Sequence, residues 1–279
     1  MSGSESVAAA PAVHTNPRVY CVRTFLITCS AAVLLGALCA PHTAPAEPAT
    51  PPIARALADP SRPSADVARD GNRKPAETLA FAGIRPGDKV ADYIANGGYF
   101  TRLFADVVGA QGHVYAVELQ EIITYPNVAQ GYAALSAWGK TQPNVTVMTG
   151  PASQRVSFPQ RLDLFWISQN YHDLHDKFLG PVDVAEFNRQ VYAALKPGGR
   201  YIVLDHAAAP GSPADVTETL HRIEADTVKR EVLAAGFELE AESALLANPD
   251  DPHSAGVFDP SVVGRTDQFI LKFRRPNSH

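Results

Sequence analysis

The feature that most constrains this chain is a regular alternation of strand-like and helix-like segments that begins near Ser64 and runs to the C-terminal end. "KVADYI" (Lys89 to Ile94), "HVYAVE" (His113 to Glu118), "VTVMTG" (Val145 to Gly150), "LDLFWIS" (Leu162 to Ser168) and "RYIVLDH" (Arg200 to His206) read as strands. Between the first two, "YFTRLFADVVG" sets Phe100, Leu103, Phe104, Val107 and Val108 on one helical stripe that ends at Gly109. Further helices are expected around Ala129 to Lys140, over "VAEFNRQVYAALKPGG", and over "EADTVKREVLAAGF" with Gly236 as its stop. "LDLFWIS" is so nearly apolar throughout that a strand buried on both faces is expected. "FELEAESALL" and "DQFILKF" are the last two strands, joined by a long loop from Ala247 to Thr266 in which Phe258, Val262 and Val263 should pack as an ordered lid. The pattern predicts an α/β fold: a doubly wound, mostly parallel seven-stranded sheet with helices on both faces and the last strand antiparallel.

The N-terminal region follows different rules. Thr24 to Ala40 is an uncharged apolar run preceded by Arg18 and Arg23, and Ala44-Pro45-Ala46 is an A-x-A cleavage pattern. Residues 1–46 therefore read as a signal peptide cleaved after Ala46, which makes the mature protein exported, in the periplasm. An uncleaved anchor is the alternative, at the short edge of what spans a bilayer. Cys39 follows Leu38, a poor context for lipid attachment. Cys21, Cys29 and Cys39 are the chain's three cysteines, so the mature protein would have no disulfides and would rely on its core. Residues 47–63 are rich in Pro and Ala and read as a tether, with the folded domain spanning 64–279. In "SADVARDGNRKPAETLAFAG", a Ser cap, two short helices and a Gly83 stop are expected. The chain carries a formal charge of −5, and removal of the leader, with two bases and one acid, makes it more acidic. That balance argues against nucleic acid as a partner and against a membrane except through the N-terminal segment.

In open parallel sheets ligands bind beyond the carboxyl ends of the strands, where the strand order reverses. The turn after the first strand, "IANGG", is therefore the first candidate site. Glu118 ends the second strand at about the distance, ~20 residues, where an acid accepts hydrogen bonds from a ribose. It could equally be an ordinary strand-end carboxylate. After the fourth strand, "NYHDLHD" gathers Asn170, Tyr171, His172, Asp173, His175 and Asp176. These either serve chemistry or cap the next helix; a histidine there is suited by its intrinsic pKa to act as a general base. Asp205 and His206 end the fifth strand on the same rim. His172, Asp173, Asp205 and His206 are the candidates for a divalent ion, although spacing alone does not bring them together. His221 and Arg222 read either as a solvated helix start or as substrate contacts.

"VADYIANGG", Glu118, "ALKPGGRYIVLDH" and "AAGFELE", in that order, resemble the class I S-adenosylmethionine-dependent methyltransferases over nearly all of Ser64 to Pro276. More narrowly, the leader with "GGYFTRLFADVVG", "NYHDLHD", "LHRIEADTVKREVLAAGF" and "DPHSAGVFDPSVVGRTDQFILKFRRP" looks like a bacterial family of exported methyltransferases. The resemblance implies a Rossmann-like fold and S-adenosylmethionine as cofactor. It places the D-x-G-x-G-x-G loop on Asp92, Ile94, Asn96 and Gly98, with an extra glycine at Gly97, so two of its three glycines are replaced. Asp92, Ile94, Asn96, Gly97, Gly98 and Glu118 are then the cofactor-binding candidates. The rim after the fourth strand faces the methyl group, which makes His172 the expected general base and Asp173, Tyr171 and Asn170 further catalytic candidates. The expected partner is a small-molecule acceptor, methylated on oxygen or nitrogen. Two alternatives remain open at this point: a methyltransferase fold that has lost methyl transfer and acts as a binding protein or metal-assisted enzyme through its His/Asp rim, and, less well matched, an NAD-dependent oxidoreductase.

Overall fold

Alternate residues of the central strands feed two apolar layers, and this covers the sheet on both faces. The computed structural model describes residues 51–277. The apolar leader, its cleavage pattern at Ala46 and the beginning of the expected tether lie outside the described residues. The chain begins with helices α1 (Pro51–Leu57), α2 (Ser64–Val67), α3 (Asp70–Arg73) and α4 (Pro75–Ala82), then enters strand β1 (Lys89–Tyr93). It continues through α5 (Tyr99–Val108), β2 (His113–Leu119), α6 (Gln120–Ile123), α7 (Pro126–Gly139), β3 (Val145–Gly150) and β4 (Leu162–Ser168). Then come α8 (Val184–Ala194), β5 (Leu195–His206), α9 (Val216–Leu220), α10 (Ala225–Ala234), β6 (Glu238–Ser243) and β7 (Gln268–Arg274).

The seven strands form one sheet in the order β3-β2-β1-β4-β5-β7-β6, with β1 to β5 parallel and β7 antiparallel to both β5 and β6. Asp92 pairs with Ala116 on one side and Trp166 on the other, so β1 is central and its end marks the reversal of strand order. Phe165 and Ile167 pack with Tyr93, Phe187 and Tyr201 on one face, while Leu164 and Trp166 meet the α5 stripe of Phe100, Leu103, Phe104, Val107 and Val108 on the other. The LKPGG turn is bulged out between Leu162 and Leu164 pairings of β4 and β5, with Gly198 at φ 76°. Arg275 closes it by exchanging backbone bonds with Gly198 and Gly199 and donating its side chain to the Tyr192 and Leu195 carbonyls.

Several local expectations change. Part of the Pro/Ala-rich stretch read as tether is α1, in which Ile53 and Ala56, one helical turn apart, are buried against α5. Prolines at the first helical positions suit a helix start, and burying Ile53 is worth about 1.5–3 kcal/mol. The segment before β1 holds three short helices instead of two, and no Ser cap forms: the Pro63 carbonyl takes the first bonds of α2. Gly83 does end α4 in the left-handed region. In the loop from Ala247 to Thr266, Val257 and Val262 are buried, but Phe258 is 74% exposed and Val263 is exposed as well. Among the described residues, no helix is long and apolar enough to cross a membrane.

Candidate functional site

A cavity of about 430 Å³ opens beyond the carboxyl ends of β1 and β4, at the reversal of strand order, within the range of ~300–1,000 Å³ usual for small-molecule sites. Asp92, Ile94, Asn96 and Gly97 wall it on the β1 side, and Ser168, Asn170, His172 and Asp173 on the β4 side. Tyr125, Phe178 and Phe258, all exposed, ring its mouth. Arg73 also reaches it, stacked 4.7 Å from the Tyr99 ring centroid and donating to Gln169 Oε1 at 3.0 Å. Arg73 has no carboxylate within ion-pair distance among the described residues, and burial pushes its pKa down to about 10.

The β1 loop keeps the backbone form of a glycine loop although two glycines are missing. Ile94 (φ 58°), Asn96 (φ 51°) and Gly98 (φ 76°) all lie in the left-handed region. Asn tolerates this conformation, whereas a β-branched residue there is strained at a cost of order 1–3 kcal/mol. The Ile94 side chain joins the core cluster beneath β1, so only its edge forms cavity wall. Gly98 is required for space as well as for φ, since a Cβ there would collide with Leu135 of α7. The loop is pinned by Ala95 N–H donating to Val117 O and by Asn96 Nδ2 donating to Asn170 Oδ1 at 3.0 Å.

Two acids are buried around this loop. Asp92 accepts from Thr101 Oγ1 at 2.6 Å, and burial raises its pKa to about 6. Glu118 is fully buried and lies behind the loop, outside the cavity wall, as does Gly98. Its Oε1 accepts from Leu119 N–H at 3.2 Å, the Asn96 backbone N–H also favours its charged form, Oε2 has no hydrogen-bond partner within 3.5 Å, and burial outweighs these donors and pushes its pKa up to about 7. An unpartnered buried carboxylate oxygen is costly.

On the β4 side the residues of "NYHDLHD" divide between two directions. His172 and Asp173 face the cavity. Tyr171 and His175 turn the other way: Tyr171 donates to Glu231 Oε2 at 2.8 Å and accepts from Asn188, and His175 Nε2 lies 2.9 Å from Glu231 Oε1. Tyr171 is thus a buried tie to α8 and α10, and its expected catalytic role is corrected. His172 is held at both nitrogens, with Nδ1 2.9 Å from Asp205 Oδ1 and Nε2 3.2 Å from Asp173 Oδ1, while its backbone N–H donates to Asp205 Oδ2. Burial works against its charged form, but Asp205 and then Asp173 outweigh it and raise the pKa to about 10. Nδ1 thus faces Asp205 in the interior and Nε2 faces Asp173 at the cavity wall, so neither nitrogen stands free as the expected general base would.

The ion-ligand candidates regroup. Asp205 is engaged by His172 and by the His206 N–H, and His206 Nδ1 bonds Thr266 Oγ1 at 2.7 Å, its pKa pushed down to about 4 by burial. His221 takes their place, lining the cavity with its Nδ1 4.0 Å from Asp173 Oδ1. Arg222 beside it is fully buried. His221 sits at φ 54° at the end of α9, and the reversal this permits brings it to the rim. Its sequence setting, one histidine before an arginine, gave no indication of direction. Arg73 also escaped sequence reasoning because it precedes the first strand.

No protein-family model matches the sequence. The architecture is that of S-adenosylmethionine-dependent methyltransferases. The chain is similar to solved methyltransferases of that type from Mesorhizobium loti (18% identity, 74% of this chain and 100% of that one, TM-score 0.52) and Aquifex aeolicus (17%, 80% and 97%, TM-score 0.50). By sequence it is 28% identical over 137 residues to the ubiquinone/menaquinone biosynthesis C-methyltransferase UbiE of Ectopseudomonas mendocina, and 29% identical over 140 residues to that of Teredinibacter turnerae. These matches cover 49% and 48% of this chain, and the chain spans about half the length of these relatives, 48% and 49%.

Proposed function

We propose that the chain is a methyltransferase that binds S-adenosylmethionine in this cavity and methylates a small-molecule acceptor. The observation that carries the reading is the left-handed β1 loop wrapped between the cavity and the unpartnered Glu118 carboxylate. The residues fit the cofactor. Asp92 and Arg73, which line the cavity, would face its ammonium group and its carboxylate, and Glu118 would accept from its ribose once the Asn96–Gly97 loop in front of it shifts. The bound sulfonium supplies an electrophilic methyl group. The chain's own contribution is to hold donor and acceptor in line, which is worth several kcal/mol (about 7–11 where alignment is ideal). The aromatic mouth of Tyr125, Phe178 and Phe258 suits an acceptor with an apolar ring, and the two relatives named for quinone biosynthesis favour an oxygenated one. Calorimetric titration of the purified chain with S-adenosylmethionine should give one site per chain with micromolar affinity. No heat at millimolar donor would overturn the reading.

The same proposal includes export, which rests on the residues of the leader. N-terminal sequencing of the periplasmic or secreted chain should begin at Glu47. A chain confined to the cytoplasm with its leader intact would refute that part alone.

A further inference from the structure

We propose that His172, Asp173 and His221 form a binding site for one divalent transition-metal ion at the acceptor end of the cavity. One ligand atom from each lies within 4.8 Å of the other two. The Nε2 of His172 is 3.2 Å from Asp173 Oδ1, and His221 Nδ1 is 4.0 Å from the same oxygen. Ligands bound at ~2.0–2.1 Å in near-tetrahedral geometry stand roughly 3.3–3.4 Å apart, so a small inward movement of the His221 ring completes the set. That ring already meets the His172 ring with centroids 5.6 Å apart and has Phe258 on another side at 5.2 Å.

The surroundings are those of a prepared ligand set. Asp205 bonds His172 Nδ1, which fixes the ring with Nε2 towards Asp173, in the carboxylate–histidine arrangement that orients metal-bound imidazoles. Asn170 donates to Asp173 Oδ2 at 2.7 Å and leaves Oδ1 on the ligand side. A second, independent observation comes from Asp176. It is 2% exposed, neither carboxylate oxygen has a hydrogen-bond partner within 3.5 Å although the Thr217 side chain stands near enough to favour its charged form, and Oδ2 lies 4.0 Å from His221 Nδ1. Asp173, Asp176 and Asp205 are thus three buried carboxylates gathered on two imidazoles, with no Lys or Arg within ion-pair distance among the described residues. Two imidazole nitrogens with carboxylate favour zinc or a neighbouring first-row metal over magnesium or calcium.

The three ligands leave coordination positions open towards the cavity, where an acceptor hydroxyl would bind. There the ion would help the O–H bond break, with the proton passing to water and the electron pair remaining on the bound oxygen. The role in acceptor activation rests on the methyltransferase reading, whereas the ion site itself does not.

Cobalt(II) titrated into the full, chelator-treated chain without S-adenosylmethionine tests the site by its visible d–d absorption. One equivalent with nitrogen/oxygen-type bands, displaced by zinc, is expected. Asp173→Asn and His221→Ala should each weaken binding about 10- to 100-fold or more, and Asp205→Asn about tenfold. His221, at the cavity rim, serves as the main variant because His172→Ala risks misfolding. Absence of a stoichiometric spectrum, or one unchanged by His221→Ala, overturns the proposal. So does a thiolate-to-cobalt band, which would place the metal on Cys21, Cys29 or Cys39. The outcome is independent of the donor titration, so each proposal can fail while the other stands.

Discussion

Replacing Glu118 by glutamine should weaken S-adenosylmethionine binding about 10- to 100-fold and, at pH 8, make the ligand-free protein more stable than the wild type by about 1–3 kcal/mol. Both effects follow from one fully buried carboxylate whose Oε2 has no hydrogen-bond partner within 3.5 Å, the binding effect through the proposed ribose contact. Its pKa, ordinarily 4.5, is raised to about 7 by burial. A raised carboxylate pKa means that the folded state holds the proton longer than the unfolded chain does. The associated stability is fully present below about pH 4.5 and is lost as pH rises through about 7. Glutamine has no proton to lose. The variant and the wild type should therefore differ little near pH 4.5 and diverge by pH 8, as read by denaturant unfolding at each pH. Asp92, raised to about 6, adds a loss of the same sign to both proteins.

Binding should move the opposite way with pH. The ionised carboxylate is the better acceptor for ribose hydroxyls, so affinity should fall as pH drops through about 7, by about tenfold between pH 8 and pH 6. The variant should show little of this dependence. Equal dissociation constants for wild type and Glu118→Gln would mean that the ligand never reaches the acid behind the Asn96–Gly97 loop. The cavity would then be used without the ribose contact.

What the sequence made legible was periodicity. The α5 stripe, the doubly buried β4 and the reversal of strand order after β1 all depend on spacing, and spacing survives in a list of residues. The site was legible as a place but not as a set of contacts. "NYHDLHD" looks like one cluster, yet one short turn sends His172 and Asp173 to the cavity and Tyr171 and His175 to Glu231. Residue spacing in an irregular turn does not encode that split. His221 is separated from the other two candidate ligands by the whole of β5 and α9, and only the left-handed turn at its own backbone brings it to them. Ile94 was legible as a misfit, but its outcome depends on the core cluster that accepts its side chain.

Breaking the Arg222–Asp251 pair should have the largest effect on stability: Arg222→Ala is expected to cost about 3–5 kcal/mol, a large share of a typical 5–15 kcal/mol total. Both side chains are fully buried and joined by two bonds, at 2.8 and 3.0 Å. Arg222 also donates to Ala207 O beyond β5 and to Ala255 O in the long loop, while Asp251 accepts from the N–H groups of His253 and Asp267. Removing the arginine leaves a carboxylate buried with only backbone donors. Burial opposes the charge of Asp251, but Arg222 and the two backbone donors outweigh it and hold the pKa below its usual value of 3.8. Its contribution is therefore present above about pH 3.8 and lost as pH falls below that. Replacing both partners by apolar residues, Arg222→Met with Asp251→Leu, should restore only part of the loss: no charge is then left buried alone, but the Ala207 and Ala255 carbonyls and the His253 and Asp267 N–H groups lose their partners. Denaturant unfolding of the two single variants and the double variant measures the coupling directly. A cost below about 1 kcal/mol for Arg222→Ala would show that the pair is no structural tie. The consequence for the site is specific: the same tie positions Val257 and Phe258 against the cavity and fixes the residue next to His221. A double variant that regains stability but binds cobalt poorly would show that the ion pair sets the geometry of the rim beyond what it adds to folding.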